Sequence, residues 1–328
     1  MEFGIQLANM EPSKFREVAQ TLEGLNFDLI LFPDHIVHEG PERQQDPHAL
    51  AYDHIAVAAA LMEATKKIRI GHLVLCNLFR HPVITAQSLM TLDHLSNGRL
   101  VAGLGSGWTE TEFKMTGINF PPITERLRML DEALTCIRSL WTNEQTNFDG
   151  EFYHLKDAIL WPKPIQKPTP PILLGGGGKG LLRIAAKHAD VINIMSESGK
   201  VGHISFEYIK RMTSDTFREK VDFVRAEAKR LGRKADAIRI CNAVFALTIT
   251  NTREESRKTV EMMAPVFGMS IEGIRQSPLA LIGTPEECIV ELKRRAKEWD
   301  VTQFIFSGPI GQDEKGVRRL REEILAHV

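Results

Sequence analysis

Short apolar runs recur along the chain, each ending in glycines or polar residues and each leading toward a stretch with helical spacing. Phe3–Ala8, Asp28–Phe32, Ile68–Leu75, Leu100–Leu104, Ile172–Leu174, Val191–Met195, Ile238–Ile249 and Thr302–Phe306 read as eight buried strands. Runs this short and this apolar fit strands covered on both faces. Between them, amphipathic segments such as Pro12–Glu23, Tyr52–Thr65, Val83–Leu95, Thr124–Leu140, Leu181–His188, Asp215–Leu231, Glu286–Trp299 and Glu314–Ala326 read as helices. Pro82 is well placed to open one of them. Alternating strand and helix implies an α/β fold with a parallel sheet under an outer layer of helices. Eight such units predict a closed (β/α)₈ barrel, the TIM barrel, with insertions, rather than an open sheet.

The rhythm breaks in three places, so the chain is read as one barrel domain over 1–328 with insertions near 37–51, 144–168 and 196–214. In the second of these, Asp149-Gly150 between alternating residues signals a hairpin. Five prolines from Pro162 to Pro171 then lead stiffly into the next strand. The third loses the pattern altogether and is read as a lid over the site.

Composition narrows the class without naming it. Apolar residues make up 43% and charged residues 25% of 328, as in a soluble globular protein. The formal charge of −1 gives no reason to expect nucleic acid or an anionic membrane as partner. Cys76, Cys136, Cys241 and Cys288 are widely spaced, with no CxxC or Cys/His cluster, so reduced thiols in the cytoplasm and no metal site are expected. The chain enters a strand pattern at Phe3 with no signal peptide, and no apolar run reaches the ~18 residues of a membrane helix.

In a (β/α)₈ barrel the chemistry sits where strands end. There the sequence offers Gln6 and Asn9, Asp34 and His35, Leu73 to Asn77, Gly105 to Trp108, Gly175 to Gly178, and Met195 to Glu197. Asp34-His35 supplies a carboxylate and a group titrating near neutrality, suited to proton transfer. Trp108 reads as the wall of a flat pocket. Glu110 and Glu112 favour a helix N-terminus, Arg80 faces either an anion or a surface carboxylate, and Glu125 and Arg126 pair on a helix face. Gly175-Gly-Gly-Gly-Lys-Gly180 contains G-x-G-x-x-G, so a dinucleotide fingerprint with Glu197 as ribose acid is the alternative. Its position behind four earlier strands favours instead a phosphate cradle over Gly175, Gly176 and Gly177 at a helix start.

Taken together, these motifs resemble the luciferase-like monooxygenase superfamily, in particular its branch of coenzyme F420-dependent oxidoreductases. The resemblance runs through Phe3-Gly-Ile, Asp34-His35, Phe79-Arg80-His81-Pro82, Leu95-Ser-Asn-Gly-Arg99, Gly103-Leu-Gly-Ser-Gly-Trp-Thr-Glu-Thr-Glu-Phe113, Phe148-Asp-Gly-Glu-Phe-Tyr153 and Gly175-Gly176. It implies a dimeric barrel that binds a reduced flavin or deazaflavin at its mouth. It also implies a non-prolyl cis peptide at Leu73-Val74 behind the ring, and cofactor contacts at Asp34, Cys76, Ser106, Gly107, Thr111, Gly175 and Gly176. By the same resemblance His35 is the proton donor, while Trp108 stands where sugar-phosphate dehydrogenases carry an acid. Glu110 is the candidate substitute for that acid. The expected activity is hydride transfer between coenzyme F420 and a small organic substrate. Oxygen-dependent monooxygenation with reduced FMN is the alternative, and a non-catalytic flavin-binding protein a further one.

Overall fold

A computed structural model describes residues 1–7, 10–36, 51–197 and 206–328. Eight parallel strands form its centre: β1 (Glu2–Gln6), β2 (Leu29–Phe32), β3 (Arg69–His72), β4 (Leu100–Gly105), β5 (Ile172–Gly176), β6 (Val191–Ile194), β7 (Arg239–Val244) and β8 (Val301–Phe306). Each pairs with the strand before and after it, and β8 pairs with β1 through Phe3↔Phe304, so the sheet closes on itself. The (β/α)₈ barrel is present as expected.

The period of two along each strand separates an inside from an outside. Leu29, Leu31, Val101, Leu173, Val191, Cys241, Ala243 and Ile305 pack together as one cluster filling the lumen. Their alternates, among them Ile30, Phe32, Ala102, Leu104, Ile172, Leu174, Ile192, Phe304 and Phe306, join the larger core beneath the helices. Leu73, Val74 and Met195 cap the lumen cluster at its upper end and are only partly buried. The lumen is thus plugged below and presents an apolar shelf above.

The outer layer comprises α1 (Pro12–Gly24), α2 (His54–Ala64), α3 (Pro82–Leu95), α4 (Glu110–Thr116), α5 (Ile123–Thr142), α6 (Lys179–His188), α7 (Ser214–Arg230), α8 (Arg253–Val266), α9 (Pro285–Trp299) and α10 (Glu314–Arg319). Pro82 opens α3 as its sequence predicts. The Asp-Gly hairpin is also found: Thr146–Asp149 pairs antiparallel with His154–Ala158, and the Gly150 amide donates to the Tyr153 carbonyl.

One predicted strand is corrected. The run from Ile238 to Ile249 is two strands, because the chain leaves the barrel at Phe245. Ala246–Ile249 instead pairs with Ala280–Gly283, a strand the sequence pattern did not reveal, in a small outer sheet covered by α8 and Ile271–Gln276. The loop nominated over 37–51 lies, but for Ala51, outside the described residues, as do Asn9 and the stretch 198–205 of the third insertion. Within the rest of that insertion a short helix covers Phe206–Lys210. No helix among the described residues is long and apolar enough to cross a membrane.

Candidate functional site

Because all eight strands run parallel, their C-terminal ends meet at one mouth. His35 follows β2, Leu73 and Val74 follow β3, Ser106 to Trp108 follow β4, Gly176 and Gly177 end β5, and Met195 follows β6. The residues nominated from distant parts of the sequence are therefore brought together. His35, Leu73, Val74, Ser106, Gly107, Trp108, Thr111, Gly175 and Gly176 are half-buried, whereas Asp34, Cys76 and Gly177 are buried.

The Leu73–Val74 peptide is cis, as the resemblance implies. The Leu73 amide donates to the Phe32 carbonyl and the Leu73 carbonyl accepts from Gln6 Nε2 at 2.9 Å. Gln6 Oε1 in turn accepts from the Ser307 hydroxyl at 2.7 Å. Val74 then leans over the glycines of the next two strands. A Cβ at Gly105 would meet Val74 Cγ2 at 2.5 Å, and one at Gly175 would meet Val74 Cγ1 at 3.3 Å. At Gly107, where φ is +75°, a Cβ would press Cys76 Sγ at 2.9 Å. The nominated glycines thus clear space for the shelf itself.

Asp34 does not stand free. Arg80 grips it with two nitrogens, at 2.7 and 3.1 Å, and the Cys76 amide donates to it at 2.8 Å. Arg80 also reaches the exposed Asp53 carboxylate, at 3.4 Å, so the surface-carboxylate reading holds for its second partner. Asp34 therefore ties the end of β2 to the segment after the cis peptide. Burial, together with the charges of Asp34 and Glu112, pushes the Cys76 thiol up to about 12, so it stays protonated and acts by shape.

His35 has a partner that the sequence reading assigned only to a helix end. Its Nδ1 lies 3.2 Å from both carboxylate oxygens of Glu112, whose Oε1 also accepts from the Ile36 amide at 2.6 Å. Glu112 is 2% exposed. Glu110, the substitute acid considered above, turns outward to Lys114 at 3.1 Å. The missed signal is helical spacing: Thr109, Glu112 and Phe113 form an i, i+3, i+4 stripe, all buried, and Glu110 lies off it. Trp108 meets the His35 ring edge-on, with centroids 5.4 Å apart and planes at 83°.

Two further readings change. Arg126 does not pair with Glu125; it is buried over the Phe120 ring at 3.8 Å and donates to the Pro121 carbonyl. Part of the glycine run serves packing, since a Cβ at Gly177 would lie 1.9 Å from the Met195 carbonyl oxygen. Lys220 donates to the Gly177 carbonyl and lies 3.6 Å from Glu197, which therefore has a cation partner and no dinucleotide fold around it. Burial lowers the Lys220 ammonium from its ordinary range, with Glu197 opposing. Gly178 caps α6 without a side chain, and nothing lies within 4 Å of where its Cβ would stand. An anion can approach the first turn of α6 there.

The mouth thus carries a half-buried apolar shelf, flanked by the N-terminus of α6 and by a carboxylate-held imidazole. A groove of about 570 Å³ between α1 and Arg318 lies on the outer wall and gathers no such chemistry. Among the described residues no group of His, Cys, Asp and Glu could hold a metal ion.

Comparison with known proteins shows the family and the fold. The model of the luciferase-like monooxygenase family matches residues 2–275. A curated relative from Amycolatopsis mediterranei, F420-dependent glucose-6-phosphate dehydrogenase, is 34% identical over 190 residues, covering 58% of this chain and about half (54%) of that protein. The protein of the same name from Microbacterium testaceum is 27% identical over 340 residues, covering 99% of this chain and 96% of its own. An FMNH2-dependent dimethylsulfone monooxygenase from Pseudomonas putida is 26% identical over 223 residues, covering 68% of this chain and 56% of its own. Among solved structures, an F420-dependent secondary alcohol dehydrogenase in complex with an F420-acetone adduct has the same fold. Its TM-score is 0.79 at 20% identity, with 100% of this chain and 99% of that chain covered.

Proposed function

Because the chain belongs to the luciferase-like monooxygenase family, we propose that its mouth carries out hydride transfer between coenzyme F420 and a small organic substrate. The observation that carries this reading is His35, held by Glu112 and Trp108 beside the shelf of Leu73, Val74 and Met195. The F420-dependent relatives support the choice of cofactor.

In this reading Leu73, Val74, Ser106, Gly107, Trp108 and Thr111 would hold the ring. Gly175 to Gly178 and the first turn of α6 receive its phosphate. When bound, the deazaflavin supplies a hydride donor or acceptor. His35 gives a proton to the substrate oxygen, or takes one from it, in the direction that hydride transfer requires. Asp34 acts as an anchor rather than a proton donor, since Arg80 and the Cys76 amide occupy both its oxygens. Trp108 and the shelf keep water from the reacting carbon.

The Pseudomonas putida relative favours a second reading, in which reduced FMN on the same shelf activates oxygen. Parallel calorimetric titrations with coenzyme F420 and FMN, each oxidised and reduced, separate the two. Micromolar or tighter binding of F420, with FMN at least ~30-fold weaker, is expected; the reverse order overturns the proposal in favour of monooxygenation. Binding without turnover of any offered substrate would favour a flavin-binding protein instead.

A further inference from the structure

We infer that Glu112 is the positioning residue of this site: it fixes His35 as the Nδ1–H tautomer and so makes Nε2 the atom that exchanges a proton with substrate. A carboxylate can only accept, so the short approach of both Glu112 oxygens to Nδ1 requires the hydrogen to sit on Nδ1. The same carboxylate accepts from the Ile36 amide at 2.6 Å, so the ring and the backbone beside it are referenced to one group. With side-chain exposures of 3% for Glu112 and 25% for His35, the carboxylate is sheltered while the imidazole reaches the mouth. Among the described residues Nε2 has no hydrogen-bond partner.

Among the described residues no other carboxylate near the ring performs this task. Asp34, next in sequence, is spent on Arg80 and the Cys76 amide; Asp53 shares Arg80; Glu110, on the same helix, faces Lys114. Among the described residues the remaining titratable neighbour is His54, stacked on Phe32 with centroids 5.2 Å apart; burial lowers its pKa, and an imidazole in either form cannot supply the negative charge of a carboxylate. The Trp108 ring stands at 83° to the imidazole and makes no hydrogen bond to Nδ1.

The consequence is a balanced proton step. If coenzyme F420 were bound it would supply the hydride acceptor: an alcohol C–H bond would then break with its electron pair, and the O–H pair would become the second bond of the carbonyl. The hydroxyl proton passes to the Nε2 lone pair, and the imidazolium formed lies against the Glu112 carboxylate. Carbonyl reduction runs the same transfers backward. Had Nε2 carried the hydrogen at rest, it could not accept, and the alcohol direction would stall.

This role rests on the proton-transfer reading of the mouth, so it is tested without cofactor or substrate. Histidine-selective ¹⁵N labelling and long-range ¹H–¹⁵N correlation at pH 8 report the tautomer of each ring, and His35→Asn assigns the relevant signal. The expected state is Nδ1–H in the parent protein. Glu112→Gln keeps it, because the amide oxygen can still accept. Glu112→Leu moves the population toward Nε2–H, the form a free imidazole prefers. An Nε2–H or doubly protonated His35 in the parent overturns the inference, as does an unchanged tautomer in a folded leucine variant. If the leucine variant does not fold, the parent spectrum still decides. Once a substrate is in hand, Glu112→Leu should lower kcat by roughly 10²–10⁴-fold with KM little changed, while Glu112→Gln recovers part of that loss.

Discussion

At the scale of single residues, His35 and His72 have measurable consequences. His35→Asn should abolish most turnover, roughly 10²–10⁴-fold, while leaving cofactor affinity within a few-fold. Calorimetry and steady-state rates on one preparation check both halves. His72 is fully buried beneath this site, and burial pulls its pKa from 6.5 to about 4. Between those values the unfolded chain binds a proton that the native chain refuses, so stability falls as pH drops from ~6.5 toward ~4, by up to about 3 kcal/mol. His54, lowered by burial in the same direction, adds to the slope. Urea unfolding at stepped pH should show the dependence, and His72→Asn should remove up to about 1.4 kcal/mol per pH unit of it. At this scale the sequence revealed residue types but not pairings. Asp34-His35 was legible as a candidate pair, yet that Asp34 is gripped by Arg80, 46 positions further along, and His35 held by Glu112, 77 positions further along, was not.

The element scale is where glycines acquire their meaning. β3 and β4 approach so closely that a Cβ at Gly103 would lie 1.6 Å from the His72 carbonyl oxygen. Backbone cannot yield there, so Gly103→Ala should give no folded protein, seen as loss of soluble, cooperatively melting material. Gly107→Ala meets a movable side chain at 2.9 Å and a φ of +75°, a strain of about 1–3 kcal/mol. It should fold with a lower melting temperature and bind cofactor at least ~10-fold more weakly, because Cys76 and Phe113 must shift at the edge of the shelf. Binding equal to the parent would show that Gly107 serves only packing. The strands, α3 with its Pro82 start and the Asp-Gly hairpin were legible because each is coded locally. The division of Ile238–Ile249 was not, since an apolar run looks the same whether it stays in the barrel or turns out at Phe245. What ends β7 is a distant partner: the Phe245 amide donates to the Leu279 carbonyl.

Across the whole molecule, one buried side chain joins the barrel to its outer lobe. Arg295 on α9 is 0% exposed. It donates to Asn242 Oδ1 on β7, to Glu291, and to the carbonyls of Ser277, Pro278 and Ala280. Removing it strands those acceptors in the interior, so Arg295→Met should cost about 3–5 kcal/mol. Hydrogen exchange should rise first over 246–283, because that lobe loses its main polar tie to the barrel. Uniform loss of protection across the chain would instead mean that lobe and barrel unfold as one unit.

By itself the sequence determined the alternation of strands and helices, the inside and outside of each strand, and the set of residues that must lie at strand ends. Those follow from local periodicity, turn chemistry and the cost of exposing apolar surface. Only the tertiary structure decided that Asp34 is an anchor, that Glu112 rather than Glu110 meets His35, that Arg126 is buried over Phe120, and that Val74 roofs the glycines of two neighbouring strands. Each of these is a contact between residues brought together by closure of the barrel: helical spacing can mark Glu112 as the inward acid of its helix, but no local rule states that His35 is what it meets.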